Sequence, residues 1–346
     1  MQEKNNLAML GEFGLINRIA TKIQPASGVI TGIGDDAAVT ATTPGMQLLT
    51  STDMLLEGVH FRRKWHDPYR LGRKSLAVNI SDMAAMGGIP RWTLLSLAIP
   101  SDYSLEFIDS FTGGFLSIAS EHGITLIGGD TCVSKNGLVI SVTILGEQRP
   151  DLIVRRSGAR AGDDIWVTGN LGDAALALSM LEHNNSPFPQ GEDWGECGGE
   201  FEQYLLSRLL NPTPRIAVGI ALAESGLVNA MSDISDGIVA DLGHITEQSN
   251  VGSAIRLDAL PLSEAFRIIA SLLPEFPWHL PLSGGEDYEL AFTAPPVNRE
   301  KIAGTLKKCG IDATPVGIVT TSPGVKVVNS DNSEFIIRRN GFNHFI

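Results

Sequence analysis

Residues 229–248 read NAMSDISDGIVADLGHITEQ, and three elements follow one another in that stretch. A short apolar strand at Asn229–Met231 runs into the turn Asp233-Ile234-Ser235-Asp236-Gly237, and a helix continues over Ile238–Gln248. Strand, acidic turn and helix in succession are the repeating unit of an α/β protein. The turn itself has two readings. The unpaired N–H groups and positive dipole end of the helix suit a phosphate, whereas Ser235 or Asp236 in the same place would simply cap the helix.

Outward from this stretch the alternation persists. Met46–Thr50, Thr93–Ile99, Ile124–Ile127 and Leu138–Leu145 read as strands, and Arg70–Met86 and Ser104–Glu121 as helices. Polar Gly146–Gly162, with Pro150 and two arginines, marks a boundary between domains over 1–148 and 149–346. The second half restarts with strand Ile165–Thr168 and helix Gly172–Glu182. Asn184–Glu200, rich in Gly, Pro, Asn and acid, reads as an exposed loop or disordered insert. Helices at Phe201–Leu210 and Arg215–Ser225 precede the opening stretch, and strands near Glu289–Thr293, Thr314–Val319 and Val325–Val328 follow it. The fold class is α/β in two domains.

Six short acidic motifs lie among glycines, serines and small apolar residues. They are Gly34-Asp35-Asp36, Ser51-Thr52-Asp53, Asn79-Ile80-Ser81-Asp82, Gly128-Gly129-Asp130, the Asp233–Gly237 turn and Gly284-Gly285-Glu286-Asp287. Most follow a strand-like run, and strand ends in α/β sheets face a shared ligand crevice. Two carboxylates about 4 Å apart repel by roughly 4 kcal/mol at an effective dielectric near 20. Converging aspartates such as Asp53, Asp82 and Asp130 therefore imply a cation, and hard oxygen donors suit Mg²⁺. Each motif also has a plainer reading: a turn at Asp35-Asp36 and at Gly129-Asp130, and an N-cap at Ser51-Thr52-Asp53. For Asp82, it is a buried hydrogen bond to Ser75 or Asn79 on the polar seam beside the Leu76/Ile80/Met83/Gly87 stripe. Arg155-Arg156 reads as a solvated pair or as a phosphate clamp.

A chain of 346 residues with 43% hydrophobic and 19% charged residues has room for two domain cores. Its net charge of −13 argues against a nucleic-acid or anionic-membrane surface, although bound divalent ions reverse the local field and admit phosphorylated ligands. Cys132, Cys197 and Cys309 form no metal or disulfide spacing, which fits a reducing cytoplasm. The start of the chain lacks a signal-peptide core, and no apolar run approaches the ~20 residues of a spanning helix. A soluble, cytoplasmic protein is expected. GxxxxGKS/T, strand-borne GxGxxG, HRD with DFG, HExxH and GxSxG are all missing. P-loop, dinucleotide, protein-kinase, zincin and serine-hydrolase chemistries are thus unsupported.

Taken in order, the motifs resemble those of the thiamine-monophosphate kinase family of the aminoimidazole-ribonucleotide-synthetase superfamily. The likeness runs from Gly11-Glu12-Phe13 through GIGDDAAV, STDMLLEGVHF, KSLAVNISDMAAMG, LIGGDT, RRSGARAGD, DISDG and SGGEDYEL to GFNHF. The resemblance implies ATP-dependent phosphorylation of thiamine monophosphate to thiamine diphosphate with several Mg²⁺ ions. It implies Asp36, Ser51, Thr52, Asp53, Asp82, Asp130, Asp233 and Asp236 as metal ligands, with Asp35 beside them. Gly129, Asp130, Arg156 and Ser235 would contact ATP, and His60, Glu286 and Phe342 the thiamine phosphate. It also implies a homodimer in which N-terminal mixed sheets pack together, and a cleft between the domains as the active site. Within the superfamily, a selenophosphate synthetase would carry an N-terminal Cys or selenocysteine with Lys, and the first cysteine here is Cys132. A carbamoyl-dehydrating hydrogenase maturation factor would end in cysteine, and this chain ends His344-Phe345-Ile346. A non-catalytic ATP- or Mg²⁺-sensing module is the alternative from another class.

Overall fold

A computed structural model describes residues 7–182, 195–338 and 341. The described residues fall into two units, one up to Met83 and over Gly88–Asp151, the other over Ala84–Gly87 and from Leu152 onward. The first unit opens with α1 (Leu7–Ala20), broken at Gly11, and a small ladder of β1 (Val29–Thr31) and β2 (Val39–Thr40). There follow β3 (Gln47–Leu56), α2 (Pro68–Ala85), β4 (Ile89–Pro100), α3 (Leu105–Glu121), β5 (Thr125–Ser134) and β6 (Val139–Gln148). The four long strands form a mixed sheet in the order β3-β6-β4-β5, in which only β4 and β5 run parallel.

Strand alternation gives this sheet two unlike faces. Leu49, Leu55, Ile140, Val142, Ile144, Leu95 and Leu97 are buried on one face. Helix α2 lies over that face, where its Met83 sulfur crowds Gly146. The expected stripe is real: Leu76, Ile80 and Met83 are all buried. Each such side chain contributes roughly 1.5–3 kcal/mol of burial. Gly87 lies beyond the end of the helix at Ala85. Two glycines let α2 and α3 touch: a Cβ on Gly72 would stand 1.9 Å from the Phe111 carbonyl, and one on Gly114 1.8 Å from that of Tyr69. Ser104 caps α3 by accepting the Phe107 N–H. The opposite sheet face carries Leu48, Thr50, Thr52 and Met54 on β3 with Asp130 and Cys132 on β5, all exposed.

The second unit contains β7 (Asp164–Thr168), α4 (Asp173–Glu182), α5 (Gly195–Leu210), α6 (Ile216–Ser225), β8 (Ala230–Ile234) and α7 (Ile238–Ser249). It continues with β9 (Gly252–Arg256), α8 (Glu264–Ala270), α9 (His279–Ser283), β10 (Glu289–Ala294), α10 (Arg299–Lys308), β11 (Ala313–Thr320), β12 (Gly324–Val328) and β13 (Glu334–Phe335). Its seven strands are ordered β13-β12-β9-β11-β7-β10-β8, with β12–β9 the parallel pair. Ile165, Val167, Ile234, Leu242, Ile245, Ile255 and Val316 are part of a fully buried cluster between this sheet and α7. Because β10 pairs antiparallel with both β7 and β8, its first residue, Glu289, meets the last residues of both.

Several expectations need correction. Strand β3 runs on to Leu56, so Ser51-Thr52-Asp53 sits within a strand and not at its end. Strand β5 likewise continues through Gly128-Gly129-Asp130. The insert expected at Asn184–Glu200 falls largely outside the described residues, and its last part, 195–200, is the start of α5. Among the described residues no helix is long and apolar enough to cross a membrane.

Candidate active site

In the first unit, alternation along β3 places Ser51 and Asp53 on the helix-covered face and Thr52 on the other. The Ser51 hydroxyl donates to Asp82 Oδ2, tying β3 to the last turns of α2. That partner is neither of those the plainer reading offered Asp82. Its seam neighbours bond locally instead: Ser75 Oγ donates to the Gly72 carbonyl and Asn79 Nδ2 to that of Ser75. Asn79 is fully buried, and its Oδ1 has no hydrogen-bond partner. Thr52 turns away, its hydroxyl donating to the Val142 carbonyl at 3.0 Å and meeting Thr143 Oγ1. Only the main chain of Thr52 remains beside Ser51 and Asp53.

Asp130 does not join them. Asp53, Val142, Leu95 and Gly129 occupy one register row across the sheet. Gly129 is therefore three strand spacings, about 14 Å, from Asp53. Asp130 is next along β5 and faces the uncovered side. The expected convergence of Asp53, Asp82 and Asp130 within one chain is thus overturned by the strand order. Asp35 and Asp36 lie exposed between β1 and β2, where Asp35 Oδ1 accepts the Asp36 N–H at 2.9 Å. His60 follows β3, and its Nδ1 accepts the Leu56 N–H at 3.0 Å. A neutral imidazole in that setting carries its proton on Nε2.

The second unit gathers its acids around one turn. Asp233 is buried on β8. The next residues form the turn into α7, whose N-cap is Gly237 with no side-chain cap. The N–H groups of Ser235, Asp236 and Gly237 all donate to Asp241 Oδ2, each at 3.1 Å. Of the two readings of the turn, open N–H groups for a phosphate do not describe these three, because the chain fills its own nest. Burial foremost, then the neighbouring Asp236, pushes the Asp241 carboxyl up to about 7 against the pull of the N–H groups and Arg156. Arg156 itself is exposed. Asp241 was not among the expected site residues. Its distance from Ser235 does not match the capping-box spacing that sequence inspection looks for.

Glu286 is held against this turn. Its N–H donates to the Ser235 carbonyl and that of Tyr288 to Ile234, both at 2.8 Å. The bend needs left-handed backbone at Gly285 (φ 70°), Glu286 (φ 64°) and Tyr288 (φ 51°). Such strain in non-glycine residues persists only where the surroundings enforce it. Here they do. Buried Asp287 accepts the Gly172 N–H at 2.9 Å, its carboxyl raised well above the usual range by desolvation. Arg208 bonds the Asp287 carbonyl at 3.2 Å and Glu289 Oε1 at 2.8 Å, while Arg215 and Thr168 both donate to Glu289 Oε2 at 2.7 Å. Gly341 also reaches the turn: a Cβ there would stand 2.5 Å from that of Ala240 and 2.9 Å from the Asp236 carbonyl. The residue after it, Phe342, lies outside the described residues.

The donors are almost all oxygens, which suits Mg²⁺. Among the described residues, no group of three or more His, Cys, Asp or Glu is placed to hold a metal by itself. Mg²⁺ is commonly held by one or two carboxylates together with water and substrate phosphates. The Ser51–Asp82 pair beside Asp53 and the Asp233/Asp236 turn are sets of that size.

Residues 34–148 match the N-terminal domain of AIR synthase related proteins, and residues 160–329 the C-terminal domain. Fold and site together define an AIR synthase related protein. The thiamine-monophosphate kinase of Escherichia coli (strain K12) is 37% identical over 336 residues, 97% of this chain and 98% of that protein. The crystal structure of thiamine-monophosphate kinase from Stenotrophomonas maltophilia K279a is 38% identical with a TM-score of 0.79, covering 90% of this chain and 95% of that one. A structure of AaThiL complexed with AMPPCP and TMP is 33% identical with a TM-score of 0.74, covering 98% of each chain. The chain belongs to the thiamine-monophosphate kinase family.

Proposed function

We propose that this protein transfers the γ-phosphoryl group of ATP directly to thiamine monophosphate, giving thiamine diphosphate and ADP. The observation that carries this reading is the match, over 98% of both chains, to a structure complexed with AMPPCP and TMP. One oxygen of the acceptor phosphate forms the new P–O bond as the bond to the ADP leaving group breaks, in line with it. The acceptor is already anionic, so positioning and charge neutralisation suffice without a protein nucleophile.

Asp35, Asp36, Ser51, Thr52, Asp53, Asp82, Asp130, Asp233 and Asp236 are assigned to metal, Thr52 through its main chain and Asp130 at a place apart from Asp53 and Asp82. Gly129, Asp130, Arg156 and Ser235 are assigned to ATP, and His60, Glu286 and Phe342 to the thiamine phosphate. Mg²⁺, when bound, neutralises the phosphate oxygens. The chain's residues do the rest: Asp241 holds the Ser235–Asp236 turn, and the strained bend presents Glu286 beside Ser235. Exposed Leu48 and Met54 on the uncovered sheet face support a homodimer joined through that face.

The test is formation of thiamine diphosphate from ATP and thiamine monophosphate, followed by the configuration of transferred chiral γ-phosphate. Inversion is expected. Retention, or a phospho-aspartate trapped with ATP alone, would rule out direct transfer. ATP hydrolysis without thiamine diphosphate would remove the reading altogether.

A further inference from the structure

Helix α7 has twelve residues, and its amino end is flanked by two good capping residues, Ser235 and Asp236. The N-cap is Gly237, with a φ of 111° and no side-chain bond to the helix. The three N–H groups of the turn are collected by one oxygen of Asp241, one turn into the helix. Asp241 is 2% exposed, so no solvent competes for those bonds. An unfilled N–H cluster at a helix start attracts the nearest carboxylate or hydroxyl, since helix termini leave such donors unpaired and the dipole favours negative charge. The nearest are Ser235 and Asp236, the residues assigned to nucleotide and metal.

We propose that Asp241 is the positioning residue of the nucleotide–metal turn: by satisfying the Ser235, Asp236 and Gly237 N–H groups it relieves Ser235 and Asp236 of capping, so that their side chains face ligand. In this role Asp241 acts through the turn and needs no contact with metal or substrate. The proposal rests on the assignment of Asp236 to metal and deepens it. Gly341 packs against the same turn at the Asp236 carbonyl.

The test is Mn²⁺ binding followed by electron paramagnetic resonance on the full chain with AMPPCP, for wild type, Asp241→Asn, Asp241→Ala and Asp236→Asn. Hydrogen exchange at residues 235–237 is read in parallel. Asp241→Asn retains an acceptor oxygen in place and should bind Mn²⁺ within threefold of wild type with the three amides protected. Asp241→Ala should weaken Mn²⁺ binding at least tenfold and expose the amides to exchange. Wild-type Mn²⁺ affinity in Asp241→Ala overturns the proposal, as does equal damage in Asp241→Asn, which would make the charge itself the requirement. If Asp241→Ala does not fold, Asp241→Glu replaces it. Its extra methylene moves the oxygen off the turn while keeping the charge, so at least fivefold weakening is expected and wild-type affinity overturns the proposal. Asp236→Asn separates the two ideas. Wild-type Mn²⁺ binding in that variant refutes the metal assignment of Asp236 and with it this proposal, whereas weakened binding there with an unaffected Asp241→Ala refutes the positioning role alone.

Discussion

Ser51 donates its hydroxyl proton to Asp82, a bond that ties strand to helix at the first unit's acidic centre. Asp82→Asn leaves an isosteric partner for the hydroxyl, so folding should survive while the negative charge is lost. We expect the Mg²⁺ concentration for half-maximal turnover to rise on the order of tenfold or more, with a melting temperature close to wild type. Unchanged Mg²⁺ response would leave Asp82 a structural acid only. Glu289 behaves differently. It is fully buried between Arg208 and Arg215 with no candidate ligand role, so Glu289→Gln should act on stability. Breaking a buried ion pair from one side costs about 3–5 kcal/mol, and urea unfolding should show a loss of that order. A loss below about 1 kcal/mol, the range of an exposed pair, would mean the network is solvated.

Strands and helices were legible in the sequence where a single period ruled them. Helix α2 announced itself through Leu76, Ile80 and Met83. In the sequence the strand signal of β3 stops at Thr50, because Ser51-Thr52-Asp53 looks like a turn. Those polar residues are tolerated because one sheet face is uncovered and the other receives Asp82. Strand β9, Gly252–Arg256, carries no such signal, since Gly-Ser-Ala-Ile-Arg has too few apolar residues to advertise a strand, and its identity comes from pairing with β11 and β12. The candidate site followed the same rule. Residue types were readable, whereas sharing a face was not, because Thr52 and Asp130 are separated from Asp53 by alternation and strand order alone. The α2–α3 crossing gives a test of this scale. Gly114→Ala places a methyl group 1.8 Å from the Tyr69 carbonyl, so the helices must part. Destabilisation of about 1–3 kcal/mol is expected, and a neutral result in thermal unfolding would show that the helices sit further apart than described.

For the whole molecule, acid should be a stress with an identifiable source. His66 is 4% exposed, and burial foremost, then Lys74, lowers its pKa from 6.5 to about 3 against the pull of the Arg62 main chain. The unfolded chain therefore binds a proton between pH 6.5 and 3 that the folded chain refuses, and the folded state loses stability as pH falls through that window. Relative to His66→Phe, which cannot titrate, wild type should lose about 1.4 kcal/mol per pH unit there. Parallel pH profiles in the two proteins would contradict this. Assembly is testable through the uncovered sheet face: Met54, 54% exposed, becomes a buried charge in a paired sheet if changed to aspartate. Wild type should sediment as a dimer and Met54→Asp as a monomer, and a dimeric variant would move the interface elsewhere. The two sheets also differ in when they can exist. Every strand of the first lies between Gln47 and Gln148, so it can close while the chain is still leaving the ribosome. Strand β7 cannot, because its neighbours are β10 and β11, and the Thr168–Glu289 bond spans 121 residues. At roughly 5–20 residues per second of synthesis, nascent Ile165, Trp166 and Val167 wait on the order of ten seconds for partners, long enough for a chaperone at the tunnel exit to hold them.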